Sequence, residues 1–183
     1  MITDRAKSSF DRLLIQTLAD QLIAGADDIC VVEPIQDRQD ITEKEFVVLT
    51  SASYLFRLIV FFHFTCNTAS RAHFARIVRV EDRLFDTKAF YDAVSEFGNL
   101  CCGALNRDLA TCFPHVGMST PNVLEHGCFA FLDALKPGYT RHFQVMVNQT
   151  PFHASLCVCD YGNLDFVLES KASTEGTGQL ELF

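Results

Sequence analysis

The segment 54–64 constrains the fold more than any other part of the sequence, because it is apolar or aromatic at almost every position. Only Arg57 and His63 interrupt it. The segment 45–51 is also rich in β-branched and aromatic residues, and the short Ser-Ala-Ser turn at 51–53 predicts a β-hairpin. A strand that is apolar on both faces has to be covered on both. We therefore expect 54–64 to be a central strand of a sheet, or one that a partner buries.

The rest of the chain alternates between helical and strand-like patterns. Apolar residues recur at helical spacing over 9–22, where Ser8 or Ser9 can cap the helix. A second hairpin is expected to turn around 149–151, and the alternation of apolar with polar or small residues over 152–160 predicts a strand with one buried face. The pattern also predicts helices over 68–78, 86–112 and 128–135, and strands over 31–34, 142–148 and 164–169.

Strand pairs that alternate with helix pairs predict an α/β (α+β) fold, with a mostly antiparallel sheet covered by helices on one face. A length of 183 residues suits one domain with a substantial core. We assign this single domain to residues 1–169. Residues 170–178 are rich in Ser, Thr and Gly, so we expect 170–183 to be a linker-like C-terminal tail.

The charge balance and the apolar runs limit the partners of the chain. The net charge is −8, with 23 acidic against 15 basic residues, and no basic stripe is present that could follow a phosphate backbone. No apolar run approaches the length that spans a bilayer, and residues 1–7 lack the apolar segment of a signal peptide. We expect a cytoplasmic protein with no nucleic-acid or membrane partner.

The eight cysteines contain no Cys-x-x-Cys pair, which predicts reduced and mostly buried thiols. Cys157 and Cys159 lie with His153 on one side of a predicted strand. A tetrahedral metal site needs a turn that brings its ligands together, whereas a straight strand spreads them apart. We therefore expect no metal site in this chain.

The predicted helix 86–112 has one apolar and one polar face. Because each residue advances about 100° around the axis, Glu96 and Asn99 are neighbours on the polar face. Glycine inside a helix costs about 0.5–1 kcal/mol relative to alanine, so Gly98 and Gly103 indicate the close approach of another group. The expected apolar face contains Phe90, Val94, Phe97, Cys101, Ala104 and Leu105, and the expected polar face contains Asp92, Glu96, Asn99, Gly103 and Asn106.

The run Asp92-x-x-x-Glu96-Phe97-Gly98-Asn99-Leu100-Cys101-Cys102-Gly103 resembles the signature helix of the CheX/CheC-type chemotaxis phosphatase family. Pro121-Asn122-Val123 is similar to the Pro-x-Val segment that follows this helix in the family. Many members have a polar residue where this chain has Ala104. The helix 68–78 carries no Glu-x-x-Asn, so we expect one site per chain, as in CheX.

The resemblance implies a phosphatase that dephosphorylates a phospho-aspartyl receiver domain of the CheY type. In this reading the catalytic residues are Glu96 and Asn99: Asn99 orients the attacking water, and Glu96 docks against a lysine of the receiver. Asp92, Gly103 and Pro121 contact this partner. The chain needs no cofactor of its own, because Mg²⁺ arrives with the receiver, and a homodimer is expected as in CheX.

Two alternatives remain open from the sequence. The chain could keep the fold without turnover, as a non-catalytic receiver-binding or motor-switch-like interaction module. In addition, the terminal residues Gln179-Leu180-Glu181-Leu182-Phe183 resemble the short peptide by which bacterial replication proteins dock on the sliding clamp. These residues could instead dock on the protein's own surface or on a dimer mate.

Overall fold

The computed structural model describes residues 1–168, which form an antiparallel sheet of seven strands packed by helices. The strand order is β1-β6-β7-β3-β2-β4, and β5 also pairs with β2. Every strand pairing in this sheet is antiparallel. The strands are β1 (Cys30–Ile35), β2 (Glu45–Ala52), β3 (Phe56–Phe64), β4 (Gly117–Met118), β5 (Asn122–Glu125), β6 (Tyr139–Val147) and β7 (Thr150–Asp160).

Three α-helices pack on one face of the sheet, which we call the helix face: α1 (Asp4–Gln21), α2 (Thr68–Ile77) and α3 (Thr87–Leu109). Short 3-10 helices occupy Arg38–Asp40, Asp82–Leu84 and His126–Leu135. The predicted α+β class, with an antiparallel sheet covered by α-helices on one face, is confirmed. Among residues 1–168, no helix combines the length and the apolar character needed to cross a bilayer.

The strand β3 is central, as the sequence predicted, and lies between β2 and β7. Its side chains alternate between two buried clusters, with Phe62 on the helix face and Phe61 on the opposite face. The 3-10 helix His126–Leu135, which we call the cover helix, shields that opposite face with Phe129 and Leu132. We call this side the second face. Because the chain itself covers both faces of β3, its burial does not require a partner.

The expectation that β7 buries only one face is wrong. Phe152, Ala154, Leu156 and Val158 lie in the core on the helix face. The alternate residues His153, Ser155, Cys157 and Cys159 are buried as well. Their small or polar side chains suggested a solvent-exposed face, but the cover helix shields this second face of the sheet.

The turn of the second hairpin also differs from the prediction, which placed it around 149–151. Val147 pairs with Thr150, so only Asn148 and Gln149 remain in the turn. Asn148 adopts φ of 54°, a left-handed conformation that Asn tolerates better than most residues. Pro151 belongs to β7, at a position beyond the last β3 pairing at His63, where a backbone donor is not needed.

Both ends of the described chain depart from the sequence pattern. The first helix begins at Asp4, and Thr3 rather than Ser8 or Ser9 caps it by accepting from the backbone N–H of Ala6 at 3.2 Å. The expected last strand over 164–169 is wrong for the residues that the structure describes. Leu164 forms only an isolated parallel bridge to Ile2. The predicted tail and its terminal Gln-Leu-Glu-Leu-Phe lie outside the described residues.

Candidate functional site

The helix α3 is held firmly by its apolar face. Asp86 caps it by accepting from the backbone N–H of Ala89 at 2.8 Å, and the helix ends at Leu109. All six residues of the predicted apolar face are buried: Phe90, Val94, Phe97, Cys101, Ala104 and Leu105. On the predicted polar face Asp92, Glu96 and Asn99 are exposed, whereas Gly103 and Asn106 are half-buried.

Glu96 and Asn99 form a pair on the exposed surface of α3. The side-chain amide of Asn99 donates from Nδ2 to Oε2 of Glu96 at 3.3 Å. Within residues 1–168, the amide oxygen of Asn99 has no hydrogen-bond partner. A carboxamide combines an acceptor with two donors, so this oxygen can accept from a water molecule while Nδ2 stays bound to Glu96.

The two glycines of α3 have different surroundings. A Cβ atom at Gly98 would come within 3.1 Å of Val47, Leu49 and Pro121, so glycine allows α3 to approach β2 closely. A Cβ at Gly103 would meet no atom within 4 Å. The predicted close approach is therefore an intramolecular contact at Gly98, whereas Gly103 leaves open space at the surface.

The segment 119–121 lies along the flank of α3 that faces β2. Its Pro121 is half-buried against Gly98, next in sequence to Asn99. Cys102, one turn later, has its thiol 3.6 Å from the carbonyl of Thr50 and 3.8 Å from that of Ser119. The structure thus brings Pro121 to the helix beside the Glu96–Asn99 pair.

The carboxylates of the exposed face are available to an external cation. Asp92 precedes Glu96 by one helical turn, so both point to the same side. Neither carboxylate has an ion-pair partner among the residues that the structure describes. Gly103 lies one turn beyond Asn99, which completes a polar strip with room at its end.

A separate cavity of about 640 Å³ lies near the start of α3, with Tyr91 as the α3 residue in its wall. The hydroxyl of Tyr91 donates to both carboxylate oxygens of Glu45, at 2.7 and 2.9 Å. Burial and this carboxylate raise the pKa of Tyr91 to about 12. Glu96 and Asn99 do not line the cavity, so the cavity and the exposed pair are separate features of α3.

A buried polar cluster under the cover helix escaped the sequence analysis, which considered histidines only for metal spacing. The hydroxyl of Ser155 lies 3.0 Å from Nε2 of His63 and 2.9 Å from Nδ1 of His142. Burial lowers the pKa of His63 to about 3. The cluster follows from the strand register, which pairs His142 of β6 directly with Ser155 of β7.

The residues considered for a metal have separate partners. His153 is 2.6 Å from Glu43, and the Cys159 thiol is 3.5 Å from the carbonyl of Leu135. No group of three or more potential ligands comes together within residues 1–168. All eight thiols are free, and Cys112 and Cys128 are exposed, which corrects the expectation of burial for these two.

No protein-family model matches the sequence, and no curated protein matches it. Solved structures do match. A putative chemotaxis protein from Desulfovibrio vulgaris Hildenborough is 16% identical, with 81% of this chain and 96% of that chain covered at a TM-score of 0.57. CheX from Desulfovibrio desulfuricans is 15% identical, with 82% and 97% covered at a TM-score of 0.54. The chain has the fold of the CheX/CheC-like chemotaxis proteins.

A further CheX/CheC-like neighbour is CheX from Borrelia burgdorferi, whose structure is a complex with CheY, BeF₃ and Mg²⁺. It is 12% identical, with 84% of this chain and 97% of that chain covered at a TM-score of 0.55. The resemblance that the α3 motif suggested is therefore confirmed at the level of the fold. At these identities the likeness assigns no role to individual residues.

Proposed function

We propose that the chain dephosphorylates a phospho-aspartyl receiver domain of the CheY type. The observation that carries the proposal is the Glu96–Asn99 pair, which is exposed on a helix whose other face is anchored in the core. The complex of CheX with CheY among the structures of the same fold supports a receiver as the partner.

Asn99 acts by positioning the attacking water. An acyl phosphate is hydrolysed by in-line attack of water on phosphorus, and the receiver brings the Mg²⁺ ion and the cationic groups that stabilise the transferring phosphoryl group. The missing function is a group that holds the water in line. The carboxamide of Asn99 offers a free acceptor oxygen and remains neutral, whereas a carboxylate there would repel the phosphoryl oxygens.

Glu96 docks the receiver. Its carboxylate has no cation partner within the described chain, so it can pair with a lysine of the receiver and set the register of the complex. Asn99 donates to Glu96, so docking and water positioning are coupled. Asp92 adds negative charge to the same face, Gly103 leaves space for the receiver's loops, and Pro121 contacts the partner beside Asn99.

Variants of the pair test the proposal against phosphorylated CheY-type receivers, with loss of the acyl phosphate followed over time. We expect Asn99→Ala to lower kcat by about 10²-fold, because the water loses its positioning group. Glu96→Ala should raise KM by about tenfold through lost docking. Asn163→Ala, at another exposed asparagine, is the matched control and should behave as wild type. Unchanged turnover in Asn99→Ala would refute the assigned role.

The same assay separates the phosphatase from the non-catalytic binding or motor-switch-like module. Binding of the receiver without any change in the lifetime of its phosphate would favour the module. The cytoplasmic location, the homodimer and the sliding-clamp contact through 179–183 remain predictions. The buried strand β3 no longer argues for the dimer, because the cover helix shields its second face.

A further inference from the structure

Leu100 and Met118 are large apolar side chains that stay exposed on either side of the polar strip that contains Glu96, Asn99 and Gly103. Leu100 is the one large apolar residue of α3 that is exposed, at 51%. Met118 on β4 is 58% exposed. The other large apolar residues of α3 lie in the core or against it, so these two exposed side chains are a local exception to the burial pattern.

Leu100 lies on the flank of α3 that faces away from β2. It follows Glu96 by four residues, so the two side chains are neighbours along the helix surface. Gly98 faces β2, and a residue two positions later is turned by about 200° around the axis. Leu100 therefore borders the pair on the outer side.

Met118 borders the polar strip on the side that faces β2, about one turn beyond the pair, because the carbonyl of the adjoining Ser119 lies 3.8 Å from the Cys102 thiol. It pairs with Ser51 of β2, and paired residues of antiparallel strands point to the same face. Ser51 alternates with Val47 and Leu49, which face α3, so Met118 is on the helix face at the sheet edge. The next residue, Ser119, is anchored by a backbone hydrogen bond to Thr50 at 3.0 Å.

We propose that Leu100 and Met118 form a two-sided apolar rim on which the receiver domain docks. The inference rests on the proposed function and adds the contacts that give affinity. Exposed apolar side chains supply contact area, and their removal from water is the main favourable contribution to most protein–protein association. Because Glu96 adjoins Leu100 and Asp92 lies one turn before Glu96, the rim selects a partner face that has a basic group next to apolar residues.

The test uses two charge-introducing variants, Leu100→Glu and Met118→Glu. Phe131→Glu is the matched control, since Phe131 is 73% exposed but belongs to the cover helix on the second face. We measure Kd for CheY-type receivers carrying beryllium trifluoride and Mg²⁺, and kcat and KM for their phosphorylated forms. Each rim variant should raise Kd and KM by about tenfold, with kcat within about twofold of wild type.

Conservative variants and the control complete the experiment. Leu100→Met and Met118→Leu should keep wild-type Kd, because they retain the apolar area, and Phe131→Glu should leave Kd unchanged. The rim proposal would be overturned if both glutamate variants kept wild-type Kd and KM, or if Phe131→Glu raised Kd as much as the rim variants do.

The rim and the proposed function fail in different ways. If the wild-type chain binds the receivers without changing the lifetime of their phosphate while the rim variants weaken binding, the phosphatase role fails and the rim stands. If Asn99→Ala loses turnover while the rim variants bind normally, the rim fails and the phosphatase role stands. A wild-type chain that binds none of the receivers overturns both.

Discussion

The two faces of the sheet are built in different ways. On the helix face, α1 and α3 contribute 18 and 23 residues, and the core between helices and sheet is mainly aromatic and aliphatic, with a few buried polar residues such as Thr17 and His73. Phe62 is typical of this core, with its ring centroid 4.7 Å from that of Phe97 and 5.3 Å from that of Phe152. The helix α3, which packs on this face, carries the Glu96–Asn99 pair on its exposed surface.

The second face has a shorter cover, which lies over strand residues that include the buried polar side chains His63, His153 and Ser155. The cover helix has 10 residues and contributes Phe129 and Leu132 as its buried side chains. Under it, the ring centroids of Phe129 and His63 are 4.6 Å apart, and His63 shares Ser155 with His142.

The difference indicates a division of roles between the faces. A long helix packed on a mainly apolar core holds the Glu96–Asn99 pair in position, as a group that acts by positioning requires. A short 3-10 helix with few buried contacts belongs to the part of a structure that opens locally at low free-energy cost. We therefore expect damage to the helix face to unfold the whole domain, and damage to the second face to release the cover helix alone.

The largest expected effect tests this difference directly. Phe62→Ala should lower the free energy of unfolding by about 3–5 kcal/mol, because it leaves a cavity among fully buried rings. Phe129→Ala removes the same side chain from the second face and should cost less, since release of the cover helix limits the loss. Denaturant unfolding of both variants checks the ranking.

Hydrogen exchange shows which part of the structure loses stability in each variant. In Phe129→Ala the amides of 126–135 should lose protection while those of α3 keep theirs. An equal loss of stability in both variants, with exchange rising throughout the sheet, would show that the two faces form one cooperative unit.

Acidification is expected to have the next largest effect. His63 has a pKa of about 3 in the folded chain and about 6.5 when unfolded, so the unfolded state binds more protons below pH 6.5. Stability should therefore fall as the pH falls, by about 2 kcal/mol from His63 between pH 7 and pH 5. Burial is the main cause, and the nearby His126, His142 and His153 oppose its protonation further.

Denaturant unfolding at several pH values measures how steeply the free energy of unfolding changes with pH. His63→Gln removes the titrating group, so the free energy of unfolding should depend less steeply on pH in this variant, whatever the effect of the substitution on stability at neutral pH. His73 on α2 provides a comparison from the helix face, because burial lowers its pKa to about 4. Protection of the 126–135 amides, corrected for the intrinsic pH dependence of exchange, that stays constant down to pH 5 would contradict the expected acid sensitivity of the cover helix.

The smallest expected effect concerns the two glycines of α3. Gly98→Ala should cost about 1 kcal/mol, the low end for overpacking, because three neighbours at 3.1 Å have to yield slightly. By shifting α3 from β2 it should also lower kcat against a phosphorylated receiver. Gly103→Ala meets open space and should stabilise the helix by about 0.5–1 kcal/mol. Thermal unfolding and turnover of the two variants give the comparison.

The sequence predicted the features that depend on local spacing. The amphipathic pattern of α3 was sufficient to separate buried Phe97 from exposed Glu96 and Asn99, because helical geometry converts spacing into direction. The central position of β3 followed from apolar residues on both faces. The family resemblance rested on this same helix, so both the site and the fold could be proposed before the structure.

Features that depend on distant contacts could not be predicted in this way. The pattern predicted a helix over 128–135, which the structure forms as the 3-10 cover helix, but no local spacing could place it over Phe61 on the second face. The burial of Ser155 depends on a register between strands and on that cover. The partner of Gly98 was hidden for the same reason, since Pro121 reaches α3 only through the pairing of β5 with β2.

The exposed Cys112 and Cys128 give the wild-type chain two attachment points for dyes that measure distance by energy transfer. Cys112 follows α3, and Cys128 belongs to the cover helix on the other side of the sheet. Burial raises the pKa of thiols such as Cys157 to about 12, which slows their alkylation and favours labelling of the exposed pair. Energy transfer between a donor and an acceptor dye at these thiols would then report, in solution and without engineered residues, how far the two layers separate.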